Sequence, residues 1–212
     1  SLYGLMALGL NLQAGYGGLL NFGHIAFAGL GAYGTGIAVQ AGYSPWLGMA
    51  FGVLLAMGLG GCVARLGRKL ASDYWGIATL AIAEILRVVA TNEGWLTGGA
   101  QGIGAIPTLF DGVAFLLMML ALLGIATLLC QRLADGRFGR ALRLMREEPQ
   151  LAACMGYDLT SLKSRAIMAS AALTAIAGSL YAHFMSYVGP DYLLASETFL
   201  LWTMLMIGGL GN

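Results

Sequence analysis

Seven stretches of this chain are long and apolar, and polar or glycine-rich breaks separate them. They cover residues 2–14, 25–40, 45–64, 75–91, 113–130, 166–188 and 199–211, the first and last being partial. About 20 apolar residues cross the roughly 30 Å of hydrocarbon in a bilayer. Backbone in hydrocarbon must satisfy its own hydrogen bonds, so each stretch is expected to be helical. The fold class that follows is all-α: a polytopic integral membrane bundle of about seven complete or partial spans. Only 10% of the 212 residues are charged, against about 25% in soluble domains. Several stretches are short, which predicts tilt or one or two broken segments.

The charges divide by side. Ten of the eleven Lys and Arg residues fall in two clusters, Arg65, Arg68 and Lys69, then Arg132, Arg137, Arg140, Arg143, Arg146, Lys163 and Arg165. Basic loops stay in the cytoplasm. That places 65–74 and 131–165 inside, with 41–44, 92–112 and 189–198 outside. The outer stretches hold Glu93, Asp111, Asp191 and Glu197 but no Lys or Arg. Residue 1 is then outside, which implies a preceding span. The Ser1 start and the glycine-rich end at Asn212 also read as the two cut ends of a fragment, so 1–212 is expected to be one truncated membrane domain with 131–165 a loop within it. Trp46, Trp75, Trp95, Tyr187 and Tyr192 lie near span ends, where amphipathic rings anchor. The net charge of +1 gives no argument for a nucleic-acid partner.

Small residues recur every fourth position: Gly48, Gly52, Ala56 and Gly60; Ala28, Ala32 and Gly36; Ala171, Ala175 and Ser179. Such ridges occupy one helix face and let a neighbouring backbone approach closely. Two segments interrupt the helical pattern, GYGGLLNFGH at 15–24 and GGAQGIG at 98–104. Unwound backbone at membrane depth is tolerated where protein or a water-filled cavity covers it, and in transporters it often borders the substrate path. An ordinary surface turn is the alternative for both.

Few residues carry chemistry. Glu84 and Arg87 share one span, and their spacing of three puts them on one helix face. Ionisable groups at membrane depth are functional candidates. A self-neutralising structural pair inside the bundle is the favoured reading, ahead of a substrate or proton site. Asn11, Asn21 and His24 are polar groups in or beside apolar helices, suited to bonding between helices or to the exposed backbone of the break. His24 and His183 are far apart, and Cys62, Cys130 and Cys154 form no CxxC, so neither set suggests a metal site. No cofactor motif, nucleotide-binding glycine loop or nucleophile elbow is visible, which points away from an enzyme. ATP, if it drives the protein, is hydrolysed by another chain.

The 131–165 loop has its own design. Gly136, Arg137, Gly139 and Arg140 open it, and a basic helix through Arg143 and Arg146 is expected next. Glu147 and Glu148 suit a helix N-terminus, Pro149 the first helical position and Gly156 the stop. A short helix over 149–155 follows, with an apolar face of Leu151, Ala152 and Met155, and Asp158 caps the next helix. A rigid capped helix between spans suits docking to a cytoplasmic protein. Binding of anionic lipid headgroups is the alternative.

Four segments carry a family resemblance. LNLQAGYGGLLNFGHIAFAGLGAYG from Leu10, YWGIATLAIAEILRVVATNEGWLTGGAQGI from Tyr74, GRFGRALRLMREEPQLAACMGYD from Gly136, and the stretch from Ala171 through Pro190 to GGLGN resemble LivM-type permeases of branched-chain amino acid ABC transporters. The resemblance implies a multi-pass subunit of the bacterial inner membrane, working with a second permease subunit, two cytoplasmic ATPase subunits and a periplasmic binding protein, in contact with membrane lipid. It assigns the translocation path to segments containing Asn11, Asn21, His24, Glu84, Arg87, Thr97, Gly98 and Gly99. It makes the helix around 147–156 the coupling helix, with Gly136, Arg137, Gly139, Arg140, Arg146, Glu147, Glu148, Ala152, Ala153 and Gly156 in the coupling loop. Similar permeases serve urea, short amides or other amino acids. From the residues alone, a proton-coupled transporter using Glu84 and a non-transporting anchor stay open.

Overall fold

The computed structural model describes residues 1–67, 72–110 and 112–211. Arg68, Lys69 and Asp111 therefore lie outside the described residues. The helices are α1 (Leu2–Leu10), α2 (Ile25–Gln40), α3 (Pro45–Leu66), α4 (Ser72–Asn92), α5 (Gly94–Thr97), α6 (Gly112–Asp135), α7 (Arg137–Glu147), α8 (Pro149–Cys154), α9 (Leu159–Met185) and α10 (Ala195–Gly208). Each expected apolar stretch overlaps one of them, in order α1, α2, α3, α4, α6, α9 and α10; α1 and α2 lie within theirs, and the other five run past at least one expected limit. Among the described residues four helices are long and apolar enough to cross a membrane: α3, Tyr74–Asn92 of α4, α6 and α9; α2 and α10 are shorter apolar helices. Pro45 occupies the first turn of α3, where its missing N–H costs nothing.

The centre is α9, packed against α1, α2 and α3. All three small-residue ridges are buried, with Gly48 against α2 and Gly36 against Ile103 and Val188. A Cβ on Gly52 would lie 2.9 Å from the Gly31 Cα, and one on Gly60 would lie 3.2 Å from Ile167 Cγ2, so α3 needs its small face against both α2 and α9. Hydroxyls seal the seams: Ser170 Oγ donates to the Gly9 carbonyl at 2.6 Å and Ser179 Oγ to the Gly31 carbonyl at 2.9 Å. Outward faces are apolar instead, with Leu54, Leu117 and Leu128 exposed. That inversion is what a lipid solvent requires.

The two ends of the bundle differ. At one end the end of α3, α7, α8 and the start of α9 converge on a single cavity. At the other, α5 leads to a two-residue strand β1 (Ile103–Gly104), which pairs antiparallel with β2 (Tyr187–Val188) after α9. Tyr3 Oη donates to Glu197 at 2.9 Å, and the Gly211 N–H donates to Asn11 Oδ1 at 2.9 Å, so α1 and α10 are tied near both ends. Trp46, Trp95 and Tyr187 are exposed, as anchors would be, but Trp75 and Tyr192 are buried. Trp75 covers Gly67, and Tyr192 stacks on Tyr181 with centroids 4.3 Å apart, so protein surface rather than bilayer interface takes these two rings.

Candidate translocation site and coupling loop

The first glycine-rich segment breaks a helix. Past Leu10 the helix widens into a π turn over Asn11–Tyr16 and then unwinds until α2 begins at Ile25. Gly18 takes a φ of +65°, which a side chain would resist. The freed backbone groups find side-chain partners. Thr79 Oγ1 of α4 accepts from the Phe22 N–H at 3.1 Å, and Thr198 Oγ1 of α10 accepts from the Ile25 N–H at 3.1 Å. Asn21 Oδ1 accepts from the Gly23 N–H at 2.9 Å, while Trp202 Nε1 donates to the Asn21 carbonyl at 3.0 Å.

His24 is fully buried beneath this break. Gln13 Nε2 lies 2.7 Å from its Nδ1, and Thr174 Oγ1 lies 2.8 Å from its Nε2, with the Met6 carbonyl at 3.3 Å. Donation from Gln13 to Nδ1 assigns the ring proton to Nε2, and both nitrogens are then satisfied in a neutral imidazole. The structure thus brings Asn21 and His24 together through Gln13 as a scaffold that holds unwound backbone, whereas Asn11 sits in the π turn and accepts from the Gly211 N–H instead. Gln13, Thr79, Thr174 and Thr198 complete that scaffold and escaped the sequence reading. Their signal was available as polar side chains inside apolar runs, but single Thr residues in helices are too common to mark a site.

The basic loop closes onto the same break. α7 presents Arg143 over the Tyr16 ring, 5.2 Å from its centroid, and Arg146 Nη1 donates to the Gly15 carbonyl. The Arg146 stem also lies against Gly18. A cavity of about 270 Å³ opens beside this junction, lined by Gly18, Trp75, Arg146, Pro149 and Lys163 among others. The loop follows its expected plan: Pro149 sits in the first turn of α8, Gly156 has a φ of +83°, and Asp158 Oδ1 accepts from the Thr160 N–H at 3.0 Å to cap α9.

The expected apolar face of α8 splits. Leu151 and Met155 are exposed, whereas Ala152 is wholly buried, because Ala152 anchors the helix to its own chain. Gly139 is likewise buried, with the α6 backbone at Ala134 against it. Gly136 caps α7 with extended backbone. Arg137, Arg140, Glu147, Glu148, Ala153 and Gly156 are exposed, as Leu151 and Met155 are.

Glu84 and Arg87 do pair. Arg87 Nε donates to both Glu84 oxygens at 3.0 Å, and Arg87 Nη2 donates to Oε1 at 2.5 Å. The pair faces outward rather than into this chain's core: side-chain exposure is 49% for Glu84 and 28% for Arg87. Thr97, Gly98 and Gly99 lie beyond the end of α4, away from the break. Thr97 Oγ1 donates to the Ala90 carbonyl at 2.7 Å, and Gly98, Gly99 and Gly102 all take positive φ. The second glycine-rich segment is therefore a tight connection from α5 into the β1–β2 ribbon, as an outer turn would be.

A helical bundle with an apolar exterior, a satisfied break in one helix and an exposed helix-bearing loop gripping that break has the build of a multi-pass membrane protein. The chain belongs to the family described as branched-chain amino acid transport system / permease component, whose model matches residues 1–212. It is 28% identical over its full length to the high-affinity branched-chain amino acid transport system permease protein LivM of Salmonella typhimurium, covering 57% of that protein. It is 28% identical to the probable LivM permease of Methanocaldococcus jannaschii, covering 73% of it. It is also 25% identical to the LivH permease of Escherichia coli, covering 76% of it. The chain thus spans little more than half the length of the LivM relative from Salmonella typhimurium. No solved structure matches it significantly.

Proposed function

We propose that this chain forms the core of a permease subunit in an ATP-driven importer of branched-chain amino acids, in a bacterial inner membrane. The subunit works with a second permease, two cytoplasmic ATPase subunits and a periplasmic binding protein. Residues 131–165 are its coupling loop. The observation that carries the reading is the grip of α7 on the broken segment: Arg143 on Tyr16 and Arg146 on Gly15. A push on the exposed α8 surface passes through α7 to a place where a helix is already unwound. Two-state motion of such an element is how a remote event is converted into an opening. The names of the relatives support the substrate class.

The test is reconstitution of the full-length complex in proteoliposomes. Leucine-loaded binding protein is expected to stimulate ATP hydrolysis and leucine uptake, and a protonophore is expected to leave uptake unchanged. Uptake that collapses with the proton gradient while ATP stays high would replace this reading with proton coupling through Glu84. Uptake of urea or short amides in preference to leucine would keep the importer and change its cargo.

A further inference from the structure

The cavity of about 270 Å³ beside the broken segment is walled by five parts of the chain: residues 17–20, the end of α3, the start of α4, the α7–α8 junction and the start of α9. Its polar side chains are Trp75, Arg146 and Lys163, and among the described residues no Asp or Glu lines it. Indole, guanidinium and ammonium are all donors that accept nothing. Arg146 spends Nη1 on the Gly15 carbonyl. Neither Arg146 nor Lys163 forms an ion pair among the described residues.

Trp75 is the most demanding of the three. Its ring is 8% exposed, and its Nε1–H is buried without an acceptor among the described residues. Gly67 abuts the six-membered edge of the ring, so the N–H lies on the edge turned from that contact. A buried Trp N–H ordinarily finds a partner, and an orphaned one marks a place where an acceptor arrives. Two cations stand in the same cavity, and the three donors belong to three different helices, α4, α7 and α9. A negatively charged, acceptor-only group answers all of them together. A planar carboxylate offers two oxygens, whereas a tetrahedral phosphoryl group offers oxygens in diverging directions, and its bonds to Arg and Lys are charge-assisted. The other walls include Leu19, Leu20, Ala64, Met145 and Leu159, which suit an apolar attachment to that group.

We propose that this cavity binds a phosphoryl group, held by Lys163, by the Arg146 N–H groups not spent on Gly15 and by the Trp75 N–H. Two sources share that chemistry: the headgroup of an anionic phospholipid in the cytoplasmic leaflet, and free phosphate in the cytoplasm. Basic pockets between spans on the cytoplasmic side are a known form of headgroup site. Bound there, the anion bridges α4, α7 and α9 around residues 17–20 and pins the basic loop to the broken segment. The site stands on the cavity alone; the pinning bears on coupling only through the permease reading.

The experiment uses the full-length protein with the subunits that co-purify, stripped of lipid in detergent and kept in phosphate-free buffer. Short-chain phosphatidylglycerol and inorganic phosphate are titrated separately while Tm is read, since a ligand of the native state raises Tm with its concentration. A saturable rise is expected; a rise with the lipid alone assigns the headgroup, and a rise with phosphate assigns the soluble anion. Lys163→Gln and Trp75→Phe are each expected to weaken the apparent affinity about tenfold, the loss of one hydrogen bond to a charged group. Arg165→Gln removes a charge from an exposed position outside the cavity and is expected to bind as the parent does. The Tm of each variant without ligand shows whether it folds, and Lys163→Gln decides alone if Trp75→Phe does not. No rise with either ligand overturns the site, and so does parent affinity in either folded cavity variant. Equal weakening by Arg165→Gln and Lys163→Gln means diffuse attraction to the basic surface and overturns it as well. Leucine-stimulated ATP hydrolysis tests the permease reading separately, and its absence leaves the binding result standing.

Discussion

Arg146 of α7 donates a hydrogen bond to the carbonyl of Gly15, joining residues 131 positions apart in the chain. The bond matters because Gly15 closes the π turn and stands just before the unwound stretch. Arg146→Met keeps the stem that covers Gly18 and removes the N–H. A charge-assisted bond contributes about 1.5–3 kcal/mol, so loss of this link is expected to lower leucine uptake about tenfold while ATP hydrolysis continues. Arg146→Lys is expected to fall between, since an ammonium can reach one carbonyl but lacks the planar fork. Paired uptake and hydrolysis rates check this, and equal loss of both would show a general defect instead of uncoupling.

Gly156 ends α8 at a φ of +83°, and a Cβ there would meet nothing within 4 Å. The obstacle to substitution is thus the backbone conformation itself, which costs an L-residue about 1–2 kcal/mol. Gly156→Val is expected to reset the exit of α8, turn Leu151 and Met155 away from the docking surface and uncouple hydrolysis from uptake. Gly156→Asn, which tolerates the left-handed region better, is expected to retain most coupling. Thermal unfolding of the two variants measures the strain separately from the transport rates.

The spans, the capped helix of the loop and the small-residue ridges were legible because each rests on a local rule: apolar length, cap chemistry, or a repeat of four. α2 was read to its residue limits and α8 within one residue of its end. The sites of contact between distant segments were not legible. Nothing local tells that Arg146 reaches Gly15, that Thr174 completes the His24 network, or that Ala152 turns inward while Leu151 stays exposed. The outward aspect of Glu84 and Arg87 was also missed, because a spacing of three fixes a shared helix face but not the direction in which that face looks.

Gly52 and Gly124 test the packing argument against each other. A Cβ on Gly52 would come within 2.9 Å of backbone atoms of Leu30 and Gly31, whereas one on Gly124 would meet nothing within 4 Å. Overpacking costs typically 1–3 kcal/mol even where side chains can yield, and here rigid backbone stands opposite. Gly52→Leu is expected to abolish stable expression, and Gly124→Leu on the outer face of α6 is expected to express as the parent does. Size-exclusion profiles of the detergent-solubilised chains decide it.

The native Cys154 reports orientation. It is exposed at the end of α8, while Cys130 is buried and Cys62, exposed four residues before the end of α3, is replaced by Ala. With α8 in the cytoplasm, a membrane-impermeant maleimide is expected to leave Cys154 untouched in sealed cells and to label it in inverted vesicles. Labelling in sealed cells would put the basic loops outside, against the pull that retains Lys and Arg in the cytoplasm.

His24 offers the last contrast. Its two ring nitrogens satisfy Gln13 and Thr174, and all three side chains are buried. His24→Leu strands both partners, and an unsatisfied buried polar group costs about 1–3 kcal/mol. The variant is expected to lose several degrees in Tm and to loosen the turn at 17–24. The triple variant His24→Leu/Gln13→Leu/Thr174→Val replaces the network with apolar groups and is expected to recover much of that loss, since removing all partners together is far less harmful than orphaning them. It is also expected to transport poorly, because the turn then lacks the bonds that hold it unwound. Recovery of Tm together with full uptake would show that the network serves stability alone, and that the break at Gly15–Gly18 keeps its shape without it.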